Sequence, residues 1–206
     1  MSSAALILAA GESRRMGSSK ALLHYAGASF LDTLIGLLAP RCSPVVVVLG
    51  AASDEVRAAA RRPAAFVVNE QWRRGQTTSM QCGLRAVPPE AEGVLFTLVD
   101  HPAVAPATID ALLDRRWDRP SPFVAGHAPL NRELLRVPRY LGRRGHPIWF
   151  SRELIAEFLA LPESGAARNV VRRHAAETAF LDLDDPGIVA DIDDRADYAA
   201  LLGGTP

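Results

Sequence analysis

Apolar residues fall into two rhythms along the chain. Ala4 to Ala9 and Pro44 to Leu49 are unbroken apolar runs, and Val94 to Val99 is apolar but for Thr97, none with polar alternation. Such runs predict strands buried on both faces. Ala65 to Asn69 predicts a further strand. Between these runs the spacing changes to that of helices. Over Ser29 to Leu38, the residues Leu31, Leu34, Ile35 and Leu38 share one face, and Ser29 with Asp32 forms a capping-box start. Helices are also predicted over Ser53 to Arg61, Thr77 to Val87 and Pro106 to Trp117. Alternation of buried strands with helices predicts βαβ units in an α/β fold: a Rossmann-like three-layer α/β/α arrangement with a mostly parallel central sheet.

The pattern loosens after residue 117. Residues 118–137 carry three prolines and read as an irregular excursion, with a strand near Phe123 to Ala125. Beyond it, strands are predicted at Pro147 to Phe150, Phe180 to Leu183 and Ile188 to Ile192. Helices are predicted at Ser151 to Leu161, Ala166 to His174 and Ala196 to Leu202. The basic residues of the 166–174 helix read as a solvated face.

Composition narrows the classes. The chain has 206 residues, 49% hydrophobic and 22% charged, a balance that fits one globular domain over 1–206 and excludes a disordered chain. Lys+Arg and Asp+Glu are equal at 23 each, which argues against nucleic-acid binding through bulk charge. No apolar stretch approaches the ~20 residues of a membrane span, and no signal-peptide pattern opens the chain, so a cytoplasmic protein without a membrane partner is expected. Cys42 and Cys82 are too few for a disulfide framework or a Cys-type zinc site. Lys20 is the one lysine among 23 basic residues. A compact ammonium does what a planar guanidinium cannot, so its retention in an arginine-rich chain points to a role.

Lys20 ends a loop that follows the first strand and holds Gly11, Ser13, Arg14, Arg15 and Gly17. In an open α/β sheet, ligands bind beyond the carboxyl ends of the strands. Glycines there let backbone N–H groups approach phosphate oxygens, Arg15 offers a bidentate fork, and Lys20 a point charge. The spacing fits neither G-x-G-x-x-G nor the P-loop, because the glycines stand six apart and Lys20 lies three residues after Gly17. Asp100 follows the fourth strand, where a hard divalent cation finds a carboxylate facing the same crevice. Asp191 and Asp193 would share one face of an Ile188 to Ile192 strand, and either could meet Asp100. Alternatively, Asp191 to Asp194 cap the following helix.

The run L-A-A-G-x-S-x-R-M-G-x-x-K, here Leu8 to Lys20, resembles the signature loop of the MobA-like nucleotidyltransferases, and within them the molybdenum cofactor cytidylyltransferases. The run Leu98 to Pro102 resembles the family's L-G-D-Q-P, with His101 in place of Gln. Asp191 to Asp197 resembles its D-I-D-T-P-E-D, with Arg195 in place of Pro. Asn69 to Leu84 and Gly142 to Phe150 resemble two further family segments, and Gly165 to His174 a third.

The resemblance implies a division into a nucleotide-binding half over about 1–117 and an acceptor-binding half over about 118–206. It implies that Leu8, Ala9, Ala10, Gly11, Ser13, Arg15, Gly17 and Lys20 wrap the triphosphate of CTP or GTP, with Gly75, Thr78 and Ser79 toward base and sugar. It implies Mg²⁺ on Asp100 and Asp193, catalytic roles for Arg15, Lys20 and Asp100, and an acceptor side at His101, Arg144 and His146. The Leu8-Ala9-Ala10-Gly11 form is that of the cytidylyl rather than the guanylyl enzymes. The implied reaction moves CMP from CTP onto the phosphate of molybdopterin with loss of pyrophosphate, and implies a client molybdoenzyme for the product.

Overall fold

The computed structural model describes residues 2–114 and 133–203. Strand β1 (Ser3–Ala9) is buried along its whole length. It is followed by the glycine loop and a short β-hairpin of β2 (His24–Tyr25) and β3 (Ala28–Ser29). Helix α1 (Phe30–Leu38) starts where expected: the Ser29 hydroxyl accepts the Asp32 N–H at 3.0 Å and donates to its carboxylate at 3.0 Å. Strand β4 (Val45–Leu49), helix α2 (Ser53–Ala59), strand β5 (Ala65–Val68), helix α3 (Gln76–Arg85), strand β6 (Gly93–Leu98) and helix α4 (Pro106–Leu113) complete the first half. Each lies within a few residues of the element its sequence predicts.

One sheet runs through both halves. It begins β5-β4-β1-β6 with every pair parallel. Alternate residues of β1 feed two separate cores. Ala5, Ile7 and Ala9 pack with Phe30, Leu34 and Ile35 of α1; Leu6 and Leu8 pack with Met80 and Leu84 of α3. Each buried Leu or Phe contributes about 1.5–3 kcal/mol, so the unbroken apolar runs are the cause of the doubly covered sheet.

The second half extends this sheet with mixed pairing. Strand β7 (Leu135–Tyr140), strand β8 (Arg143–Arg144), strand β9 (Ile148–Ser151), helix α5 (Ile155–Leu159), helix α6 (Ala167–Arg173), strand β10 (Thr178–Asp182) and helix α7 (Arg195–Gly203) follow in order. β9 pairs antiparallel with both β6 and β7, and β10 pairs parallel with β7. Two expectations change here. The sequence reads as irregular up to Val137, yet from Leu135 it is a strand. Pro138 is tolerated because it falls between the residues paired to β9 and those paired to β8. Ile188 to Ile192 is not a strand: Pro186–Val189 forms a 3-10 turn, with the Asp185 side chain accepting the Gly187 N–H at 2.9 Å. The strand expected near Phe123 to Ala125 lies outside the described residues. Among the described residues, no helix is long and apolar enough to cross a membrane.

Candidate functional site

The chain steps outward from β1 to β4 to β5, then returns to the other side of β1 as β6. Strand order therefore reverses between β1 and β6, and a crevice opens beyond their carboxyl ends. The glycine loop leaves β1 at this point and Asp100 stands two residues beyond β6. The loop is shaped by residues of unusual backbone. Ser13 and Gly17 have φ of 53° and 75°. The Ser13 carbonyl accepts the Met16 N–H at 2.9 Å, and its hydroxyl accepts the Lys20 N–H at 3.0 Å. Met16 is buried and anchors the loop, leaving Arg14, Arg15 and Gly17 exposed.

Four charged side chains converge across the crevice. Lys20 Nζ donates to Asp100 Oδ2 at 3.0 Å and to Asp193 Oδ1 at 2.7 Å. Arg15 pairs with the other oxygen of Asp193 at 2.8 Å. Asp193 arrives through the backbone, because the Ile192 N–H donates to the Asp100 carbonyl at 3.0 Å. Its neighbours Asp194 and Asp197 cap α7: Asp194 Oδ1 accepts the Ala196 N–H at 2.8 Å, and Asp197 Oδ2 accepts the Asp193 N–H at 2.9 Å. The acidic run thus divides between a site residue and helix caps. Asp191 is exposed, without a contact to Asp100 among those described.

Burial alone would raise the Asp100 carboxyl. The hydrogen bond from His101 and the charge of Lys20 prevail and hold it at about 2. The hydrogen bonds from Lys20 and Arg15 likewise lower Asp193. Burial opposes the charge of Lys20, but the two carboxylates raise its pKa above the usual lysine value. His101 is buried, with Nδ1 3.0 Å from Asp100 Oδ1. An ionised carboxylate only accepts, so Nδ1 carries the proton.

The crevice holds a cleft of about 380 Å³. Leu8, Ala9, Ala10, Gly11, Ser13, Arg15 and Lys20 line one wall, and Gly75 and Ser79 stand on the other, with Asp100 and Asp193 also reaching it. Gly75, at φ 116°, turns the chain into α3. Gly17 and Thr78 are not among the lining residues. Thr78 is buried, its hydroxyl donating to the Gly75 carbonyl at 2.8 Å and accepting Asn69 Nδ2 at 3.0 Å. It shapes the turn that presents Gly75 and Ser79. Trp72 and Gln76 also line the cleft, and sequence reasoning missed both.

A second cavity of about 610 Å³ meets the first at Gln76, which lines both. Arg144 and His146 lie here, apart from the cleft. His101 lines neither cavity; its ring stacks edge-on against His146 with centroids 5.1 Å apart. Burial, then the neighbouring His101, lowers the His146 pKa to about 4. Arg168 and Arg172 of α6 also line this cavity, although their helix face reads as solvated from sequence. A single helical pattern carries no signal of which polar face turns toward a cavity.

Strand order and loop place the protein among the Rossmann-like α/β folds. More narrowly, it belongs to the MobA-like NTP transferase domain family, which it matches over residues 5–178. It is 26% identical over 195 residues to the molybdenum cofactor cytidylyltransferase of Escherichia coli, covering 94% of this chain and 92% of that one. A Mycobacterium avium protein named probable molybdenum cofactor guanylyltransferase is 32% identical over 117 residues, 55% of this chain and 57% of that relative. The chain thus spans little more than half the length of the guanylyltransferase-named relatives it matches, 57% and 53%. The crystal structure of Rv0371c from Mycobacterium tuberculosis superposes with a TM-score of 0.79 at 27% identity, covering all of both chains, and its manganese complex with 0.77 at 28% identity.

Proposed function

We propose that the protein is a nucleotidyltransferase that moves CMP from CTP onto the phosphate of molybdopterin and releases pyrophosphate. One observation carries this reading: Lys20 and Arg15 from the glycine loop meet Asp100 and Asp193 where the strand order reverses. An oxygen of the acceptor phosphate attacks the α-phosphorus of the nucleotide, and the bond to the pyrophosphate oxygen breaks. A phosphate nucleophile is already ionised at pH 7, so no general base is required. Catalysis then rests on positioning and charge. Lys20 and Arg15 exchange their carboxylate partners for phosphate oxygens and neutralise the leaving pyrophosphate. His101 fixes the rotamer and ionisation of Asp100.

The donor set fits Mg²⁺. A cation, Lys20 Nζ, already lies between single oxygens of Asp100 and Asp193. Among the described residues, no group of three or more His, Cys, Asp or Glu forms a closed metal cage. Two carboxylates completed by phosphate oxygens and water are the usual setting of Mg²⁺. Held by Asp100 and Asp193, it would neutralise charge on the triphosphate.

CTP as donor is supported by the relative aligned over 94% of the chain and by the Leu8-Ala9-Ala10-Gly11 form. GTP is the second reading, supported by guanylyltransferase-named relatives at 32% and 34% identity. The test is pyrophosphate release with Mg²⁺ and each of CTP, GTP, ATP and UTP, with and without molybdopterin. Release with CTP and molybdopterin together is expected. Release with GTP alone among the nucleotides moves the donor assignment, and CTP binding without release under any pairing leaves a nucleotide-binding accessory protein.

A further inference from the structure

The charges of the second cavity are unbalanced. Arg168 and Arg172 stand four residues apart on α6 and both line it, with Arg144 and His146 contributed from β8 and the loop after it. Both residues are exposed, and among the described residues the side chain of neither makes a hydrogen bond or ion pair. Their neighbour Arg173 shows the contrast, pairing with Glu157 at 2.9 Å. Among the described residues the one carboxylate lining the cavity, Glu163, is paired with Arg74. Like charges four apart on a helix repel by a few tenths of a kcal/mol, and an anion between them turns that repulsion into attraction. Deeper in, Met80, Phe96, Val137 and Ile148 give apolar walls. This is a place for a flat, partly apolar body carrying an oxyanion.

The cavity is also tied to the nucleotide cleft. Gln76 lines both, and the Thr77 hydroxyl donates to the Gly165 carbonyl at 2.5 Å. The ion pair of Arg74 with Glu163 makes a second tie between the start of α3 and the loop before α6. An occupant therefore sits against the element that also presents Gly75 and Ser79 to the nucleotide.

We infer that Arg168 and Arg172 form an anion clamp that holds the acceptor by an oxyanion while its ring system lies on the apolar walls. This rests on the proposed transfer to a phosphorylated pterin. Planar guanidinium forks suit such a group. Hydrogen bonds to charged groups contribute about 1.5–3 kcal/mol, so each arginine accounts for roughly tenfold or more in acceptor affinity.

The test uses the full chain with Mg²⁺, CTP and molybdopterin. Arg168→Ala and Arg172→Ala should each raise KM for molybdopterin about tenfold, and the double variant about a hundredfold, with KM for CTP unchanged. Arg173→Ala, one position away and paired elsewhere, should leave both constants alone. Molybdopterin binding is measured separately by equilibrium dialysis. If wild type turns over and the double variant keeps its KM for molybdopterin, the clamp is wrong and the transfer reading survives. If wild type binds molybdopterin without turnover and the double variant loses that binding, the clamp stands and the transfer reading falls. Absence of both binding and turnover in wild type overturns both.

Discussion

The two cavities handle charge in opposite ways. In the cleft beyond β1 and β6, every cation has an anion: Lys20 lies between Asp100 and Asp193, and Arg15 closes on Asp193. In the cavity beside α6, Arg168 and Arg172 have no ion-pair partner among the described residues, and the lining carboxylate of Glu163 is taken by Arg74. A ligand enters the first by exchange, breaking ion pairs as it makes new ones. It enters the second by addition, relieving repulsion. Half-buried paired charges of the first kind are costly to break one at a time, because the partner is left uncompensated.

Removing single charges from the paired cleft should therefore produce the largest effects. Asp100→Asn should cut Mg²⁺-dependent pyrophosphate release by about 10³-fold, the equivalent of several kcal/mol of charge stabilisation. Circular dichroism should show the fold kept; a normal metal titration in this variant would remove Asp100 from the site. Lys20→Ala should lower kcat by about 10²–10³. Unchanged turnover there would mean that the Lys20 ion pairs are structural only.

A smaller effect comes from the wall of the second cavity. His146 titrates at about 4, below its ordinary 6.5. Between these values the unfolded chain takes up a proton that the native ring refuses, so stability falls as pH drops through that window. The slope from this group is at most about 1.4 kcal/mol per pH unit. Asp100 adds a second loss at lower pH: its contribution is complete above 3.8 and disappears as pH falls toward about 2. Urea unfolding of wild type and His146→Gln between pH 7 and 4 should show the flatter profile in the variant. The smallest effect belongs to Arg173→Ala, whose exposed pair with Glu157 is worth about 0–1 kcal/mol of stability in thermal melts.

Legibility in the sequence followed burial. β1, β4 and β6 were readable because both of their faces are covered, and their runs are apolar apart from Ser3 and Thr97. β7 was not, because Leu-Arg-Val-Pro-Arg-Tyr carries neither alternation nor a continuous apolar core. Its Arg136 is buried nonetheless, with Nη1 donating to the Leu112 carbonyl at 2.8 Å and the guanidinium 3.9 Å from the Trp149 ring. Such compensation is tertiary and leaves no local trace. The strand expected at Ile188 to Ile192 offers Asp191 and Asp193 alike and does not form, so it was the family resemblance that picked out Asp193; the residue reaches Lys20 because Ile192 docks on the Asp100 backbone. The arginines of α6 were visible as residues, but their orientation toward a cavity depends on where α6 lies against the sheet.

The docking of Ile192 on Asp100 has a consequence in time as well as space. The two acidic partners of Lys20 lie 80 and 173 positions further along the chain. As the ribosome works from the amino end, β1, β4, β5 and β6 can assemble their sheet while Lys20 still has only one of those partners. A polypeptide cut short before Ile192 would lack both the second carboxylate and the buried Ile192 side chain. Emergence of the Ile192–Asp193 segment, late in synthesis, is then the event that gives Lys20 its second carboxylate.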